Sequence, residues 1–85
     1  IKLYPFDYDS NLLYAKIKLA ENKSNEAALY LEKAIQYNPK SELGKYYLGL
    51  AYVEQGKKNE ATKLQEELNA MNSQYAIKLK EKLQK

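Results

Sequence analysis

Lys23-Ser24-Asn25-Glu26-Ala27 is echoed by Lys57-Lys58-Asn59-Glu60-Ala61, which sets a 34-residue period. The echo runs outward in both directions. Glu32 falls on Glu66, Asn38 on Asn72, Leu12 and Leu13 on Tyr46 and Tyr47, Ala15 on Gly49, and Leu19 on Val53. A fixed period of this size marks a stacked repeat, in which each unit is one supersecondary element that cannot bury its apolar side alone. Architecture is therefore readable before any single residue is interpreted.

Punctuation and apolar spacing divide the chain into five helices. Residues 9–21 form the first, with a broad apolar face (Leu12, Leu13, Ala15, Ile17, Leu19, Ala20) and Asp7 or Ser10 placed to cap it. Residues 25–38 form the second, with Ala27, Leu31 and Ala34 at helical spacing. It stops at Asn38-Pro39, because proline disfavours helical geometry in the residue before it. Residues 42–55 form the third, opened by Ser41 and closed by Gly56 in a left-handed conformation. Residues 59–71 form the fourth, with a narrow stripe of Ala61, Leu64, Leu68 and Met71. Residues 73–84 form the fifth, with Tyr75, Ala76, Leu79 and Leu83 on one side and lysines on the other.

Composition narrows the function classes. Eighty-five residues make one small domain, and no apolar run approaches the roughly 18–20 residues that span a bilayer, so membrane insertion is not expected. The absence of Cys and His removes thiolate and imidazole metal ligands and the commonest general base. No metal site and no cofactor is expected. All 14 basic residues are Lys, so bidentate arginine forks are missing. Residues 1–77 carry 10 Lys against 10 Asp and Glu, and residues 78–85 supply the whole net charge of +3. A basic body that grips nucleic acid is not what such a balance offers. Cysteine usage is silent on compartment, and a cytoplasmic location is favoured over a secreted or periplasmic one.

Individual motifs weigh toward structural roles. Asp7-Tyr8-Asp9 places two carboxylates at a helix start, where capping and the helix dipole use them more often than a divalent cation does. Ser10, Ser24, Ser41 and Ser73 have no histidine to activate them. A Ser–Lys pair is the one nucleophile arrangement left, and no enzymatic activity is expected. Tyr46, Tyr47 and Tyr52 lie close together, but Tyr47 and Tyr52 fall at packing positions and arginine is absent, which outweighs base stacking. Lysines 78–85 complement the C-terminal dipole of a closing helix, a simpler account than an anionic surface.

Leu48-Gly49-x2-Tyr52, Gly56 and Ala61 in the second unit resemble the tetratricopeptide repeat, whose 34-residue unit is a pair of antiparallel helices. Tyr14-Ala15, Ala27, Leu31, Ala34 and Pro39 in the first unit do the same. The chain departs from the pattern at Asn11 and Lys45 for the tryptophan, Lys18 for the tyrosine, Gln65 for the aromatic, Leu68 for a small residue and Ser73 for the proline. The resemblance implies an all-α solenoid of stacked antiparallel helix pairs, two tetratricopeptide-like repeats followed by a C-terminal capping helix. Residues 1–7 read as the tail of a preceding repeat, 8–41 as the first repeat, 42–73 as the second, and 74–85 as the cap. Ala15, Gly49, Ala27 and Ala61 are then small where the two helices of a hairpin approach. Ala15, Ala27, Leu31, Ala34, Leu48, Gly49, Tyr52, Ala61, Leu64 and Leu68 are expected to be buried.

In that family the first helix of each pair lines a concave face that takes a partner peptide or helix. By register, the face here is Asp9, Leu12, Lys16 and Leu19 from one helix and Leu43, Tyr46, Leu50 and Val53 from the other. The subclass that holds a terminal carboxylate uses a Lys and Asn pair one turn apart; Leu12 and Lys16 stand there instead, which excludes that reading. The resemblance implies a non-catalytic protein-interaction scaffold, the alternative being an architectural end-cap of a longer array with no ligand contact. An uncovered first helix would leave some of Leu3, Tyr4, Phe6, Leu13 and Ile17 exposed and open to self-association.

Overall fold

In a computed structural model, which describes residues 8–84, five helices follow one another: α1 (Tyr8–Ala20), α2 (Ser24–Tyr37), α3 (Glu42–Glu54), α4 (Lys58–Ala70) and α5 (Gln74–Leu83). No strand occurs among the described residues. Every helix packs on the next, and α3 also touches both α1 and α5. The radius of gyration is 12.0 Å, that of a compact domain of this length (about 12 Å).

Local chemistry explains where the helices stop. Asn22 and Gly56, one repeat period apart, both take positive φ (62° and 78°), and Asn72 does so at the end of α4 (56°). After each of these residues the next amide reaches back to a carbonyl five residues earlier: Lys23 to Lys18, Lys57 to Tyr52, and Ser73 to Leu68. This is the left-handed C-terminal closure that glycine and asparagine tolerate best. Of the first four helices only α2 ends differently, at Asn38 before Pro39.

The starts of α3 and α5 are set by serine. Ser41 Oγ accepts the Gly44 amide at 2.8 Å, and Ser73 Oγ accepts the Tyr75 amide at 3.1 Å. Both serines are buried, so their hydroxyls are committed to capping. A further hydrogen bond joins the Tyr8 and Ser41 hydroxyls and ties the start of α1 to the turn before α3. Asp7 lies outside the described residues, as does the segment 1–7 read as the tail of an earlier repeat.

The core runs through all five helices. Ala15, Ala27, Leu31, Leu48, Leu64 and Leu68 join Ala28, Ala51, Ala76 and Leu79 in one cluster. Leu31, Leu68 and Leu79 are its largest fully buried side chains, each worth roughly 1.5–3 kcal/mol relative to exposure. Two sequence expectations are corrected. Tyr52 is only half-buried, because its hydroxyl extends to donate to Glu32 Oε2 at 2.9 Å. Gly49 does not mark the close approach within the α3–α4 pair: an added Cβ there would meet Leu79 of α5. Leu13 and Ile17 on the outer side of α1 are exposed, at 54% and 41%; Leu3, Tyr4 and Phe6 lie outside the described residues.

Polar residues at the two positions where the repeat pattern has tryptophan are packed in. Asn11 is buried, and Lys45, largely covered, pairs with Glu67 of α4 at 2.9 Å.

Candidate functional site

Helix α3 is flanked by α1 on one side and α5 on the other, and the three share a face. Leu50, Val53 and Glu54 follow at helical spacing on α3, so they project together. With Leu19 from the last turn of α1 and Lys82 from the last turn of α5 they line an open cleft of about 210 Å³. Leu19, Leu50 and Val53 are each half-buried, packed on the core from one side and open on the other. Three of the eight residues placed on this face from the sequence thus meet at one feature.

The remaining five are distributed along the same helices. Tyr46 stacks on Tyr75 of α5, with ring centroids 5.1 Å apart and planes 27° apart, and also meets Tyr47 at 5.7 Å. Burial, then Tyr47, Tyr75 and Glu81 nearby, push the Tyr46 hydroxyl above its ordinary pKa. Lys16 places its ammonium 6.0 Å from the Tyr47 ring centre, and Lys78 places its own 5.5 Å from that of Tyr75. A row therefore crosses the face from Lys16 through Tyr47, Tyr46 and Tyr75 to Lys78. Leu12 and Leu43 are half-buried, and Asp9 is exposed in the first turn of α1.

Helix α5 is the part that the repeat register did not assign to this face. Its signal lies in the capping serines: Leu50 stands nine residues after Ser41, and Lys82 nine residues after Ser73. Helix α5 begins two residues early relative to the 34-residue period, so the period alone hides the equivalence.

The cleft is smaller than the roughly 300–1,000 Å³ of small-ligand pockets, and it suits one anchoring side chain rather than a cofactor. Among the described residues no group of three or more Asp, Glu, His or Cys is arranged to hold a metal ion, and no helix is long and apolar enough to cross a membrane. Compared with family models, curated proteins and solved structures, the chain has no match.

Proposed function

We propose that this chain is a non-catalytic protein-interaction module of the tetratricopeptide type, which docks a partner peptide or helix on the face formed by α1, α3 and α5. One observation carries the reading: Leu19, Leu50 and Val53, from two different helices, surround a single open cleft. Half-buried apolar side chains around a concavity are the usual anchor site of a helical partner. The similar backbone conformations of Asn22 and Gly56, at matching places in the two units, support the underlying repeat solenoid.

A second reading, an architectural end-cap with no ligand contact, is favoured by α5, which covers Gly49 and Tyr46 and turns Lys80 outward. The two are separated by pull-down from the full-length protein with Leu50→Ser plus Val53→Ser. Tyr46 is left intact because it holds α5 in place. Loss of the partner with unchanged circular dichroism supports docking; equal recovery supports the cap.

A further inference from the structure

Charge is unevenly divided between the two sides of the molecule. Helices α1, α3 and α5 carry six Lys against four Asp and Glu, whereas α2 and α4 carry three Lys against five Glu. On the first side Lys18 and Lys45 reach across to Glu26 of α2 and Glu67 of α4, which leaves Lys16, Lys78 and Lys82 as the cations flanking the apolar strip. Lys16 and Leu50 hold the same place in successive repeats, and Lys82 holds on α5 the place that Leu50 holds on α3. A lysine, a leucine and a lysine thus occupy equivalent places on three neighbouring helices. Lys78 adds a third ammonium over the Tyr75 ring.

None of Lys16, Lys78 and Lys82 has a carboxylate within ion-pair distance among the described residues. By contrast Lys18, Lys23 and Lys45 are each paired with Glu side chains. Glu54 is the single acidic group lining the cleft, and it lies on α3 rather than on the flanking helices. A ligand carboxylate is attracted at both sides of the strip and repelled at the Glu54 edge and beside Tyr46, where Glu81 lies, which fixes its placement.

Resting on the docking reading above, we propose that the α1–α3–α5 face takes an acidic segment carrying a bulky aliphatic anchor. The anchor enters the Leu19, Leu50 and Val53 cleft, and side-chain carboxylates on either side of it pair with Lys16, Lys78 and Lys82. A cavity of about 150 Å³ lined by aliphatic residues already accepts a benzene ring, so 210 Å³ admits a Leu or Phe side chain. The opposite, Glu-rich side repels the same segment, so long-range attraction and local fit select one face.

The test uses a synthetic helix-forming peptide of about 14 residues with leucines on one face and glutamates beside them, both ends blocked so that no terminal carboxylate contributes. A second peptide has every Glu replaced by Lys, and a third has its Leu replaced by Ser. Binding to the intact chain is read by fluorescence anisotropy at low and high salt. Only the Glu-Leu peptide should bind, with an affinity that falls as salt rises. Lys82→Glu should weaken it by roughly tenfold, while Lys63→Glu on α4 leaves it nearly unchanged. Equal weakening by Lys63→Glu would reduce the effect to diffuse attraction and overturn the proposal. Tighter binding of the Lys peptide, blocked by Leu50→Ser, would overturn the acidic preference while leaving the docking face in place. Binding by none of the peptides would overturn the assigned ligand class, and the full-length pull-down would then decide the docking reading separately.

Discussion

Leu79 of α5 occupies the space that a side chain on Gly49 of α3 would enter: a Cβ there would lie 2.5 Å from Leu79 Cδ2 and 2.9 Å from Cδ1. Leu79 is fully buried, so it has little room to retreat. Gly49→Ala should therefore destabilise the fold by about 1–3 kcal/mol through overpacking, less the ~1 kcal/mol that alanine gains in a helix. Urea melts of Gly49→Ala, Leu79→Ala and the double variant measure this. The double variant should cost less than the sum of the two single changes, because truncating Leu79 opens the space that the added methyl group needs.

Gly56 is different in kind. Its φ of +78° requires a left-handed backbone, and nothing lies within 4 Å of an added Cβ. Gly56→Ala should cost about 1–2 kcal/mol from conformation alone. Gly56→Asn should cost clearly less, since Asn22 and Asn72 already close helices in the same geometry. Thermal melts of the two variants would rank them.

These two glycines show how far the sequence can be read. The helices are legible because Gly56, Pro39 and the two capping serines punctuate a regular apolar pattern, and the observed ends fall within one or two residues of the expected ones. Two packing partners are not legible. The period relates α1 to α3 and α2 to α4 but has no third copy against which to read α5, so it assigns Gly49 to its own hairpin instead of to Leu79. Spacing alone makes Tyr52 an apolar filler, yet its hydroxyl needs a polar partner and finds Glu32 on the half-exposed side of α2. Leu79 itself is legible as part of the apolar side of the fifth helix, but on the candidate face Lys82 is not, because the early start of α5 moves it out of the 34-residue register.

The Tyr52 hydroxyl is held protonated up to about 12, against an ordinary value of 10.0, by burial, by its hydrogen bond to Glu32 and by the nearby charges of Glu32 and Glu60. A raised pKa in the folded state stabilises the fold fully below pH 10. Between about pH 10 and 12 the unfolded chain gives up the proton that the folded chain retains, and the contribution is lost. Tyr52→Phe should therefore be less stable than the parent at neutral pH, with the difference shrinking across that alkaline window. Denaturation midpoints at several pH values test the sign.

Removal of residues 74–85 would take Ala76 and Leu79 out of the core and uncover Tyr46 and Gly49. The shortened chain should melt at a lower temperature and associate at high concentration, because the freed surface is apolar. Sedimentation and thermal melting of parent and truncated chain provide the check; an equally stable monomer would show that α5 contributes little to the stack.

The docking face itself is tested most directly by site-directed photo-crosslinking, which the absence of cysteine from the chain makes clean. A single photoreactive label is attached to the intact chain at Leu50→Cys, beside the cleft, or at Lys63→Cys on the exposed surface of α4. The account predicts a cross-linked partner from position 50 and none from position 63. Cross-links from position 63 alone, or equally from both, would contradict it.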